Sequence, residues 1–315
     1  MENPDEAKGS GGLLYGAGAY VLWGLMPLYI WSMDRVPSLE ILAHRVVWCS
    51  VVLVFLLTGL SRWGAFGRVL RNPRTLGLLG LSSLLIATNW YCYIFGANNG
   101  QTIQTSLGYF INPLFSVLLG MIFFRERLRP VQWVALFLAT VGVLILVVVT
   151  GELPWIALVL AVGFGLYGLV RKVTPVDAVT GLAVETLLLV PVAGAFLLYW
   201  TATGTGSFGQ MGWDIDALLL AAGVVTAVPL LCFGQAARRL PLTTIGLLQY
   251  IAPTLQFLLA VLIRGEALLP AKVVSFGFIW TALVVFSVES LLVARRRHVL
   301  EKRLAEEAQA PVGVS

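Results

Sequence analysis

Residues 107–130, LGYFINPLFSVLLGMIFFRERLRP, and residues 247–270, LLQYIAPTLQFLLAVLIRGEALLP, are one segment written twice. Set together without a gap, they match at Leu107/Leu247, Ile111/Ile251, Pro113/Pro253, Leu118/Leu258, Leu119/Leu259, Glu126/Glu266, Leu128/Leu268 and Pro130/Pro270. Leucine matches are cheap in an apolar chain, whereas a matched glutamate and two matched prolines are not. An internal duplication of this kind fixes the architecture before any residue is read for chemistry, because many membrane carriers are built from two weakly similar halves.

The rest of the chain agrees with a membrane setting. Of 315 residues, 58% are hydrophobic and 12% charged, and the mean hydropathy is +0.88. A span needs about 20 predominantly apolar residues. Ten such runs are read at roughly 13–32, 39–60, 75–97, 102–124, 131–150, 154–172, 178–200, 217–236, 242–263 and 272–293. Their length excludes a barrel, whose strands alternate over about ten residues. The expected fold is therefore an all-α polytopic membrane protein with ten transmembrane helices. Residues 1–12 form a flexible tail and residues 294–315 a basic one. Cys49, Cys92 and Cys232 lie within spans without paired spacing, so no disulfide framework or metal site is expected, and no cofactor. The acidic, Gly-rich start lacks the basic head of a cleaved signal, so the first span is expected to stay in the mature protein.

Ten spans place both termini on one side, and seventeen of the 21 Lys and Arg residues sort to that side. Arg35, Arg264 and Lys272 fall opposite, and Arg45 lies within a span. The positive-inside rule makes both termini cytoplasmic. It also explains the net charge of +5, so the run Arg295, Arg296 and Arg297 reads as an anchor on anionic lipid and no nucleic-acid partner is expected.

The 140-residue offset reaches beyond the opening segment. Leu42 and Ala43 match Leu182 and Ala183, which sets Arg45 opposite Glu185 and Asn89 opposite Pro229. Five spans per half invert the second half, giving repeats at 13–150 and 151–293 with a midplane site between them. Inversion also sends Glu126 and Glu266 to opposite faces, so they read as matched end-fixing residues. The longest loops, about 61–74 and 201–216, leave no room for a nucleotide domain, and no GxxxxGK[ST] occurs.

Polar residues mark candidate walls. Thr105, Tyr109, Asn112 and Ser116 share one face of the fourth span. Pro113 frees the carbonyl of Tyr109; in the repeat Pro253 frees that of Gln249, and Gln249 and Gln256 stand where Tyr109 and Ser116 do. Pro27 frees the carbonyl of Trp23, whose face also holds Tyr20, and the third span adds Asn89, Trp90 and Tyr93. These groups either line a solute cavity or bond helix to helix. Rings suit organic solutes, with tolerance rather than strict recognition, while Trp31, Trp133, Trp155 and Trp200 suit the interfacial belt.

Ionisable groups are scarcer. Glu40, His44 and Trp48 share a face with Arg45 beside them, and Arg45 and Glu185 each lie roughly a third of the way in from opposite surfaces at 1.5 Å per residue. For His44, Arg45 and Glu185 a substrate or proton role is the default. Arg45 has two alternatives, to snorkel outward or to pair with Glu40. Glu185 has no basic residue within a turn on its own helix, which makes it the expected proton-coupling group. Arg171 and Lys172 are assigned to topology.

The run QTSLGYFINPLFSVLL at 104–119, followed by Arg125-Glu126-Arg127-Leu128, with Ala43-His44-Arg45-Val46-Val47-Trp48 before it and Phe164 to Lys172 (FGLYGLVRK) after it, resembles the RarD group of the EamA family, within the drug/metabolite transporter superfamily. The resemblance covers about 13–292. It implies a ten-helix carrier of the bacterial inner membrane with two inverted repeats, exporting small metabolites or drugs. The expected function is a secondary transporter of small amphiphilic organic solutes, working by alternating access through a central cavity, as a monomer or homodimer, with proton coupling open. An uncoupled facilitator or channel is the alternative. An intramembrane enzyme is disfavoured because HExxH and GxSxG are absent.

Overall fold

The computed structural model describes residues 4–125, 128–151, 153–237, 239–240 and 248–309, with backbone alone for 4–10, 117, 124, 150, 237, 271, 290–291 and 294–309. The described chain is helical: α1 (Pro4–Gly24), α2 (Met26–Trp31), α3 (Ser38–Gly59), α4 (Trp63–Leu70), α5 (Pro73–Asn98), α6 (Thr102–Phe124), α7 (Pro130–Thr150), α8 (Trp155–Val173), α9 (Ala178–Thr203), α10 (Trp213–Ala237), α11 (Ile251–Leu262) and α12 (Pro270–Gln309). Among the described residues nine helices are long and apolar enough to cross a membrane, counting α1 and α2 as one. Helix α11 is apolar but shorter than the run read at 242–263, and 241–247 lie outside the described residues.

The helix ends follow from local chemistry. Asn72 and Asp177 cap α5 and α9, each accepting a hydrogen bond from the backbone N–H three residues on. Gly151 and Gly204 end α7 and α9 at φ +67° and +63°, a conformation that suits glycine. Leu25 separates α1 from α2 because Pro27 offers no N–H to continue the ladder. Pro113, Pro191 and Pro229 lie inside α6, α9 and α10 without ending them. Three elements differ from the expected layout. Helix α4 occupies the loop at 61–74, burying Val69 and keeping Arg68 exposed. Both tails are helical where described, α1 starting at Pro4 and α12 running to Gln309.

Helix neighbours form a consistent set. Helix α6 packs on α8 and α11 on α1; α5 packs on α8 and α10 on α1; α3 packs on α10 and α9 on α5. The pairs α3 with α9, α6 with α11 and α7 with α12 belong to the same set, outside which α3 also packs on α5. Exchanging α1 for α8, α3 for α9, α5 for α10, α6 for α11 and α7 for α12 maps this set onto itself. Close approaches need small residues: a Cβ on Gly108 would lie 2.7 Å from the Ala157 carbonyl oxygen, and one on Gly223 would lie 2.5 Å from that of Trp48. Gly12 and Gly16 face residues 239–240 and 248, and Gly165 faces Phe115. These small faces are used within the chain.

Candidate functional site

Helix α3 carries three polar side chains to different ends. Glu40, 2% exposed, accepts hydrogen bonds from the N–H groups of Ser207 (2.7 Å) and Phe208 (3.2 Å) and from the Ser207 hydroxyl (2.9 Å). It ties the loop after α9 and is not the partner of Arg45, which corrects that alternative. His44 accepts at Nδ1 from Trp48 Nε1 (3.2 Å), so the neutral ring carries its proton on Nε2, which has no partner. Its ring lies 5.1 Å from Phe208. Arg45 does not snorkel outward. It is 8% exposed, its Cζ lies 4.5 Å over the Trp90 ring, and it forms no ion pair among the described residues.

Aromatic and amide groups from α1, α5, α6 and α10 meet nearby. Asn89 donates to the Leu160 carbonyl (3.1 Å) and accepts from Tyr109 OH (3.2 Å). The rings of Tyr93 and Tyr109 lie 5.9 Å apart, and those of Tyr20, Trp23 and Phe233 form an adjoining cluster. Tyr93 OH and Asn112 Oδ1 are buried without a hydrogen-bond partner among the described residues. The polar stripe on α6 is not one wall. Thr105 turns back to the Thr102 carbonyl, while Ser116 is exposed and lines a separate cavity of about 190 Å³ with Gly165, Gly168 and Lys172. Another cavity, of about 260 Å³, opens among Arg62, Arg68, Asn72 and Asp177. Neither is lined by Arg45 or the aromatic cluster.

One proline-freed acceptor, the Trp23 carbonyl, is taken up by a helix-to-helix bond. Gln256 Nε2 donates to the Trp23 carbonyl (3.1 Å), the acceptor that Pro27 frees, and Ser106 Oγ donates to the Pro253 carbonyl (2.8 Å). Gln249 lies in the turn before α11, and Pro253 in the first turn of that helix rather than at mid-span. Ser106 was missed because one serine in an apolar helix carries no distinguishing pattern.

Glu185 has the surroundings its own helix conceals. Fully buried on α9, it accepts from Ser82 Oγ (2.5 Å) and Tyr167 OH (3.2 Å), and Arg171 Nη1 lies 3.5 Å away. Ser83 Oγ donates to the Glu185 carbonyl (2.5 Å). Arg171 reaches across α9 at Gly181, where any Cβ would collide with the guanidinium. Arg171 is thus the ion partner of Glu185 rather than a topology residue alone, and Arg45 and Glu185 stand apart.

The ends of the bundle are tied. On the side away from the termini, Glu266 accepts from Thr102 N–H (2.7 Å) and Ile103 N–H (2.9 Å), a carboxylate on the positive end of α6. Arg264 there lies 3.7 Å from Asp34 and over the Trp31 ring. Glu126 lies outside the described residues. On the opposite side Arg129 pairs with Glu289 at 2.8 Å, an acidic residue in the last span that the sequence reading passed over. Asp177 lies 3.8 Å from Arg62. Partial burial pushes the Asp177 carboxyl up, but hydrogen bonds from Thr180 and the Arg62 charge outweigh it and hold the group below the usual carboxylate range. Among the described residues no cluster of His, Cys, Asp or Glu is placed to hold a metal.

Comparison with known proteins follows the same lines. The profile of the EamA-like transporter family matches residues 10–148. A Vibrio cholerae protein named an uncharacterized transporter is 47% identical, over 91% of this chain and 95% of its own. Protein RarD of Escherichia coli is 45% identical over 90% and 96%, and chloramphenicol-sensitive protein RarD of Pseudomonas aeruginosa is 34% identical over 91% and 96%. A crystal structure with 21% identity, covering 88% of this chain and 97% of its own, shares the fold at a TM-score of 0.56.

Proposed function

This chain belongs to the EamA-like transporter family, in its RarD group, and we propose that it is a secondary transporter of the bacterial inner membrane that exports small amphiphilic organic solutes. The observation that carries this reading is the set of unpartnered polar atoms within the spans, on Arg45, Tyr93 and Asn112, among the rings of Trp90, Tyr93 and Tyr109. Buried polar atoms of this kind are expensive unless something else satisfies them, and a bound solute is such a partner. In this proposal residues 13–150 and 151–293 are the two bodies that rock, and both termini are cytoplasmic. The ties made by Glu266, Glu40 and Arg264 then close the outer end, and their release exposes the site outward.

Counterflow in liposomes tests the carrier mechanism. Saturable exchange of labelled solute, identified by comparing media from cells with and without the gene, supports it; stepwise conductance in a planar bilayer rejects it in favour of a channel. One observation favours a second reading, an uncoupled carrier. Glu185, the expected proton carrier, already holds Arg171 and two hydroxyl donors. Transport by Glu185→Gln under an imposed pH gradient separates the two. Loss of the gradient response assigns coupling to Glu185, and an unchanged response removes it from that role.

A further inference from the structure

Charge is left uncompensated within the spans at Arg45. Its side chain is more than nine-tenths buried, and among the described residues no hydrogen bond reaches its guanidinium, Nε included. Cys49, Tyr109, Tyr93 and Tyr29 stand within electrostatic reach, yet a thiol and three hydroxyls supply no counter-charge. Tyr29 donates to the Leu218 carbonyl and Tyr109 to Asn89, whereas the Tyr93 hydroxyl has no partner among the described residues. The position therefore offers a planar fork of donors, one free hydroxyl and a wall of rings.

An ionised guanidinium withdrawn from water without a counter-ion is strongly disfavoured, and the face of one indole offsets only part of that cost. We infer that the solute completes the site: a monoanionic carboxylate held in the guanidinium fork of Arg45 with the Tyr93 hydroxyl donating to it, its organic remainder against Trp90 and Tyr109. This rests on the transporter reading and names the substrate class. One cation sets the load at one negative charge, since a dianionic phosphate would leave the loaded site charged. The two-pronged donor geometry matches a carboxylate rather than a spherical halide. Charge also gives a direction. The loaded site is neutral and the empty one positive, so return of the empty site inward follows an inside-negative potential, which favours export without a coupling ion.

The test uses purified full-length protein, wild type, Arg45→Met and Arg45→Lys, at neutral pH. The probes are N-acetylphenylalanine, N-acetylleucine and N-acetylalanine, each paired with its uncharged primary amide. At least one acid should raise the wild-type Tm at millimolar concentration while its amide does not. Arg45→Met should lose this response and keep or raise the ligand-free Tm, because it removes an unpaired buried charge. Arg45→Lys should weaken the response by roughly tenfold, since an ammonium keeps the charge and loses the fork; if Arg45→Met fails to fold, this variant decides. The inference is overturned if no acid acts on the wild type, if amides act as well as acids, or if the response survives in Arg45→Met or is undiminished in Arg45→Lys. Liposome flux separates this from the transporter reading. Saturable flux of acid and amide alike keeps transport and rejects the site, whereas Arg45-dependent binding without flux keeps the site and rejects transport.

Discussion

The side-chain amide of Gln256 donates to the carbonyl of Trp23 at 3.1 Å, where Pro27 has removed that carbonyl's helical partner. A residue 233 positions away thus satisfies an acceptor that the local sequence orphans, and it does so between α11 and the first span. Gln256→Leu should destabilise the fold in detergent by about 1–3 kcal/mol, for a buried carbonyl left unpaired, and so lower its unfolding midpoint. Adding Pro27→Ala should recover part of the loss, because the restored N–H can take the Trp23 carbonyl back into the helix. An unchanged midpoint in Gln256→Leu would show that the bond contributes nothing.

Arg171 and Glu185 form a buried pair, and breaking one side leaves the other stranded. Arg171→Met should destabilise by about 3–5 kcal/mol, and the double change Arg171→Met with Glu185→Leu by much less. Gly181→Ala should act like Arg171→Met by displacing the guanidinium. Gly194→Ala, with open space around it on the same helix, should be tolerated. Equal losses in the two glycine variants would reject the crossing at Gly181.

The duplication, the spans and the proline positions were legible because each leaves a mark along the chain: a matched segment, a run of apolar residues, a missing N–H. The partners of Glu185, Glu40 and the Trp23 carbonyl were not. Arg171, Ser207 and Gln256 reach them from other helices or loops, and periodicity reports only neighbours on the same helix. Glu289 was readable in kind, as a lone acid in an apolar run, but its partner Arg129 belongs to another span. Helix α4 escaped notice because its loop reads first by its arginines.

Glu266 caps α6 from across the bundle, which makes the first turn of that helix sensitive to a distant change. Glu266→Gln loses the charge and one acceptor oxygen, a change of about 0.5–2 kcal/mol on the scale of helix caps. Amide exchange at Thr102 and Ile103 should accelerate accordingly, while exchange in the middle of α6 stays slow. Uniform acceleration along α6 would point to global loosening instead.

Close backbone approaches give a sharper contrast. Gly108→Ala and Gly223→Ala each drive a methyl into a carbonyl oxygen of the facing helix and should destabilise by about 1–3 kcal/mol. Gly77→Ala and Gly80→Ala meet nothing within 4 Å and should leave the midpoint unchanged or slightly raised. Thermal unfolding of the four variants under one condition checks the ranking.

Helix α12 has 40 residues, about 60 Å at 1.5 Å per residue, against a hydrocarbon layer of about 30 Å. With its N-terminal half immersed, the rest of the helix would extend beyond the lipid, and Arg295, Arg296 and Arg297 fall near the start of that part. A reporter fused beyond Gln309 would ride tens of ångströms above the bilayer, mechanically joined to the last span, so any tilt of that span during turnover would be magnified at the tip.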